Sequence, residues 1–166
     1  PESRQAHWGL ARVARERQDA DLAEFHLREA VRLHPREWTC WQQLGVFLVE
    51  QGRAEEASDA LSRAAALSDG DHPRPYLALA QAQLDLSRPD QALATANRAI
   101  YLNGGAYALY LRGCAYMELD QTDRAETDFR AAILADPRLV EARGGLGLIR
   151  AKQGDYAAAA EAFRGV

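Results

Sequence analysis

The strongest constraint on what this chain can fold into is that it repeats itself. The stretch from Leu109 to Pro137 has the skeleton Gly113-x-x-Tyr116, then Ala125-x-x-x-Phe129-x-x-Ala132, then Pro137. The small residue at the Gly113 position recurs at Ala11, Gly45, Ala80 and Gly147, at steps of 34, 35, 33 and 34 residues. Self-similarity at a fixed period of this size marks a stacked array, in which each unit buries its apolar face only against its neighbours. The 166 residues therefore form a row of units around no single centre.

The units run over about 4–37, 38–71, 73–105, 106–139 and 140–166. Each carries two apolar stripes at helical spacing, with no alternating run that would suggest a strand. In the first unit the leading stripe is His7, Leu10, Ala11 and Ala14, and the second is Ala23, Leu27 and Ala30, ending before Pro35. Asp19 and Asp21 bring acceptors and negative charge to the start of the second helix. The second unit has the fullest leading helix, Trp41-x-x-Leu44-Gly45-x-x-Leu48, then Ala57, Leu61 and Ala64. The third is built on alanines, Ala92, Ala96 and Ala99, with Pro89 in a first turn that tolerates it. It is flanked by the two irregular connections, Ser68–Pro73 and Asn103–Gly105. The expected architecture is ten helices in five antiparallel pairs, the tenth cut short at Val166. Small residues at Gly45, Gly113, Ala57 and Ala125 mark helix crossings, and Trp41, Leu61 and Phe129 fill the space around them.

Spacing and residue types together resemble the tetratricopeptide repeat family over essentially the whole chain. The resemblance implies an all-α, right-handed superhelical solenoid that binds other proteins. In such arrays the first helix of each pair lines the concave side. The outward face of those helices supplies the candidate groove: Trp8, Arg12, Arg15, Gln42, Val46, Val49, Arg74, Leu77, Gln81, Tyr107, Tyr110, Met117 and Glu141. Val46, Val49, Leu77, Leu84, Tyr110, Met117 and Leu148 form an apolar strip along it, which is either open to a partner or buried between neighbouring helices. Charge is graded from Arg12, Arg15 and Arg74 to Asp85, Glu118 and Glu141. Some family members hold a C-terminal carboxylate with Lys and Asn on successive first helices. The matching places here carry Trp8, Arg12, Gln43, Arg74 and Ala78, of which only Arg74 fits, so capture of such tails is not expected.

Composition narrows the alternatives. A formal charge of −4 argues against a dedicated nucleic-acid binder. No apolar run approaches the ~18 residues a membrane span requires. Cys40 and Cys114 lie two units apart, beyond the ~7 Å that a disulfide can bridge. His7, His26, His34 and His72 make no paired zinc motif; His7 stands at a core position and the other three are expected to face solvent. No Ser or Cys has a base at motif spacing, so no enzyme and no cofactor or metal is expected. Gly144-Gly145-Leu146-Gly147 lacks the strand of a dinucleotide loop and reads as a helix of low intrinsic stability, or as a close approach for a ligand at Gly144. Nineteen of the twenty basic residues are arginine, which with the abundant alanine suggests a GC-rich, bacterial genome; cytoplasm and periplasm both stay open. The chain reads as a piece of a longer protein with an uncapped C-terminal end through which it could self-associate. Three roles follow: a scaffold seating a partner segment in the groove, a structural spacer or self-association module, or the substrate-recruiting arm of a larger enzyme or export assembly.

Overall fold

The computed structural model describes residues 3–68 and 70–164. Among them are ten helices and no strand: α1 Arg4–Glu16, α2 Ala20–Leu33, α3 Trp38–Glu50, α4 Ala54–Leu67, α5 Pro73–Asp85, α6 Pro89–Tyr101, α7 Gly105–Glu118, α8 Thr122–Ala135, α9 Val140–Lys152 and α10 Tyr156–Phe163. Asp69, and the stretch that would carry the tenth helix on to Val166, lie outside the described residues.

Each odd-numbered helix turns back into the next even-numbered one through the same device. Gln18, Gly52, Ser87, Asp120 and Gly154 all take positive φ, between 52° and 83°. The next residue in each case donates its N–H to the carbonyl five residues back, at 2.8–3.0 Å. This is the hydrogen bond that closes a helix C-terminus through a left-handed residue. The five left-handed residues fall at the same 34, 35, 33 and 34 steps as the small core residues, so the period is a property of the backbone as well as of the side chains. Only two of the five are glycine.

Helix crossings are tight where the pattern has its small residues. A Cβ on Gly45 would lie 2.5 Å from Leu61, and one on Gly113 would lie 2.6 Å from the Phe129 ring. At Gly147 the corresponding distance, to Phe163, is 2.8 Å. The alanines opposite, Ala57 and Ala125, are fully buried. Trp41 is half-buried at the edge of its crossing, where Arg63 stacks on its ring at 4.7 Å and its indole N–H donates to the Pro35 carbonyl at 2.8 Å.

Phe129 also joins one pair to the next. On its far side a Cβ at Gly145 of α9 would come within 2.7 Å of the ring. The core is divided into three clusters: one runs from α1 into α5, a second spans α5 to α7, and a third spans α7 to α9. The second is the richest in alanine, with Ala80, Ala92, Ala96 and Ala115 supplying four of its six buried residues, and the fewest partly buried side chains pack against it.

Polar ties cross between successive pairs as well. Arg53 of the α3–α4 turn bonds Glu24 of α2 and Glu56 of α4, and Arg28 of α2 reaches both glutamates. In α7, Arg112 stands where the pattern has leucine. Its guanidinium forms a two-toothed pair with the buried Asp128 of α8, 2.7 Å at each contact, and also donates to Asn97 of α6 at 3.0 Å. The histidines depart from expectation. His7 is buried as expected, but His26 and His34 are half-buried and only His72 is exposed. His26 lies Nδ1 to Nδ1 with His7 at 3.1 Å, because α1 and α2 bring the two rings together across their interface.

Candidate functional groove

Among the described residues α3, α5, α7 and α9 form the inner row. α5 packs against both α3 and α7, and α7 against α9, whereas the even-numbered helices meet their sequence neighbours and form no comparable row. Helices that close up on one side and splay on the other give that side the shorter radius, so the inner row is the concave wall. Residues at i, i+3 or i+4, and i+7 on each inner helix then face the same way.

Seven of the thirteen candidate residues come together there. Gln42, Val46 and Val49 from α3, Arg74, Leu77 and Gln81 from α5, and Tyr107 from α7 line one cavity of about 310 Å³. Its remaining walls are Glu50 and Ala78. Ala78 follows Arg74 by four residues on the same face, but a lone alanine carries no chemical signal in sequence. Val46, Val49 and Leu77 are half-buried, which leaves their side chains to form the floor. Along the wall the phenol of Tyr107 donates to Oε1 of Gln81 at 3.1 Å, and the Gln81 amide donates to Asp85 at 2.9 Å.

The other six candidates lie to either side. Trp8, Arg12 and Arg15 border a depression of about 350 Å³ between α1 and α3. Arg4 stacks over the Trp8 ring at 4.9 Å. Arg15 also donates to both carboxylate oxygens of Glu50 at 2.6 Å, so its charge is already matched within the chain. Tyr110 stacks on Tyr107 with ring centroids 5.6 Å apart and leans on Phe129 at 6.0 Å. Burial, with Cys114 beside it, pushes the Tyr110 phenol well above its ordinary range. Met117 is half-buried in the third core cluster, and Glu141 is exposed at the start of α9. Of the three leucines left open in sequence, Leu84 is buried, Leu77 half-buried and Leu148 exposed at 58%.

The carboxylates are placed distinctively. Asp85 and Glu118 are the last residues of α5 and α7. Burial, with Asp85 nearby, raises the Glu118 carboxyl above its ordinary value. Burial comes first for Tyr107 too, followed by the charges of Glu141, Cys114 and Asp85. Arg74 stands at the opposite end of α5, so positive and negative charge are separated across the groove as well as along it. Thiol chemistry is disfavoured, since burial pushes both Cys40 and Cys114 up to about 11. No group of three potential metal ligands gathers among the described residues.

A continuous row of inner helices carrying one groove defines an all-helical repeat solenoid. A model of the tetratricopeptide repeat matches residues 9–72, 43–108 and 110–166, and the chain belongs to the tetratricopeptide repeat family. Members of this family are scaffolds for protein–protein interaction. Among solved structures, the fold is similar to MamA residues 41 to the end from Desulfovibrio magneticus RS-1, at 20% identity and TM-score 0.82, covering 97% of this chain and 91% of that one. It is similar to PilW, described as a widely conserved type IV pilus biogenesis factor, at 17% identity and TM-score 0.86, covering 98% and 75%. It is also similar to YrrB, described as a TPR protein with an unusual peptide-binding site, at 21% identity and TM-score 0.73, covering 99% and 84%. At these identities the likeness is one of fold. No curated protein sequence matches the chain. No helix of the described residues is long and apolar enough to cross a membrane.

Proposed function

We propose that the chain is a protein-interaction scaffold that seats a segment of a partner in the concave groove, centred on α3, α5 and α7. The observation that carries this reading is the cavity floored by Val46, Val49 and Leu77 and rimmed by Gln42, Arg74, Gln81 and Tyr107. An apolar depression with a few polar groups at its edge is the usual form of a recognition site, because burial supplies affinity and the rim supplies orientation. Tyr107 and Tyr110 offer stacked aromatic surface beside it, the residue type most enriched among binding hot spots.

The test is photocrosslinking in cells of the source organism, with a benzophenone amino acid placed at one position at a time. Gln42 and Gln81 report the groove, and Asp59 of α4 and Gln91 of α6, both exposed on the outer helices, report the convex side. The reading expects discrete protein adducts from the groove positions and none of the same mass from the outer ones. Adducts only from Asp59 and Gln91, or equally from all four, would move the binding face away from the groove.

A further inference from the structure

We infer that the segment bound in this groove carries an aliphatic side chain and, about two to four residues from it, a lysine or arginine. The aliphatic group enters the cavity beside Val46, Val49 and Leu77, and the cation rests between Asp85 and Glu118 at the C-terminal ends of α5 and α7. This rests on the reading of the groove as the binding face.

Charge complementarity selects the occupant. Eight carboxylates among the described residues hold an arginine in an ion pair. Asp85 and Glu118 are in none of those pairs; the one side-chain bond to Asp85 comes from the neutral amide of Gln81. Each also ends its helix. The aligned peptide dipoles give a helix C-terminus partial negative charge, which makes a carboxylate there unfavourable and a cation favourable. Two neighbouring inner helices thus end in a carboxylate that holds no cation, on the same edge of the groove. Tyr107, whose phenol reaches Gln81 one turn before Asp85, adds between anchor and carboxylates an aromatic surface of the kind that attracts ammonium and guanidinium groups. At the other end of α5, Arg74 has no ion-pair partner among the described residues and disfavours a cation there, which sets the direction of the segment.

Spacing follows from the helix. Leu77 and Gln81 line the cavity, and Asp85 lies eight and four residues further along α5, roughly 12 and 6 Å by helical rise. An extended segment advances about 3.3 Å per residue, so two to four residues separate anchor and cation.

The experiment selects random twelve-residue displayed peptides on the immobilised full chain. Parallel selections use Tyr107→Ala and the double substitution Asp85→Asn with Glu118→Gln. Both carboxylates are exposed, and the amides keep their shape, so circular dichroism should report an unchanged helical fold. The inference expects wild-type peptides enriched in Lys or Arg two to four residues from Leu, Ile, Val or Met. On the double variant the aliphatic preference should persist while the basic preference disappears. Replacing the basic residue of a selected peptide by alanine should weaken wild-type binding about fivefold, the scale of one cation–aromatic and charge contact, and leave the double variant little changed. Peptides that require Tyr107 but show no basic enrichment overturn the inference and leave the groove reading standing. Peptides indifferent to Tyr107→Ala, or no enriched peptides at all, overturn both.

Discussion

Gly144 and Gly145 are adjacent in α9, yet alanine at the two positions should shift stability in opposite directions. A Cβ on Gly144 would meet nothing within 4 Å, so that substitution gains the helix-propensity difference alone, about 0.8–1 kcal/mol. A Cβ on Gly145 would lie 2.7 Å from Cε2 and Cζ of Phe129. The ring has nowhere to retreat, because its other side is pressed against Gly113 and it is only 1% exposed. Overpacking of this kind costs roughly 1–3 kcal/mol, which outweighs the propensity gain and leaves a net loss of up to about 2 kcal/mol. Thermal unfolding followed by circular dichroism reads both variants. Gly144→Ala should raise the midpoint by roughly 2–4 °C, the shift per kcal/mol for a chain of this size, and Gly145→Ala should lower it. Because arrays can open in parts, amide exchange in α8 and α9 should confirm where the loss falls. Phe129→Leu should recover part of the Gly145→Ala loss by making room. Equal stabilisation by both alanines would refute the claim that Phe129 is wedged between two glycines of different helix pairs.

Other outcomes follow from the packing. Burial, together with His7, holds the His26 imidazole below its ordinary value, with Glu29 pulling weakly the other way. A histidine with a depressed folded pKa contributes its stability above the unfolded value near 6.5 and loses it as pH falls from there through the lower folded value, so acid should destabilise α1–α2 first and His26→Gln should flatten the slope in pH-dependent unfolding. The alanine-built α5 and α6 should exchange amide hydrogens faster than α3–α4 and α7–α8; uniform protection would count against the weak middle cluster. Apolar side chains stand exposed at both ends, Leu10, Val13, Leu22 and Phe25 on α1–α2 and Leu148, Tyr156 and Phe163 on α9–α10, so sedimentation should show association that grows with concentration and weakens in Phe25→Glu.

The helices were legible in sequence because the apolar period is set by backbone geometry and each stripe is local. The turns were half legible: Gly52 and Gly154 announce a left-handed residue, whereas Gln18, Ser87 and Asp120 adopt the same conformation without the residue type that advertises it. Contacts that depend on the register of neighbouring pairs were hidden. Arg15 looks like a free groove cation until Glu50, 35 residues on, is placed beside it. Gly145 looks like a helix weakness until Phe129 is seen to need its missing side chain. Arg112 breaks the leucine pattern for a partner, Asp128, that lies on the next helix. Even Arg63, on an outer helix and a natural choice of inert control, proves to be stacked on Trp41, which is why Asp59 and Gln91 serve that purpose better.

Whether the inner row of helices is the binding face can be read by amide chemical-shift mapping with NMR. The probe is the segment of the partner captured by the photocrosslinks, titrated as a peptide into the full chain. Binding in the groove should place the largest shifts at residues 42–50, 74–85 and 107–118, with α4, α6 and α8 nearly silent. The largest shifts along the outer helices, or confined to α1–α2 and α10, would contradict it and favour a role as a spacer or an end-to-end module.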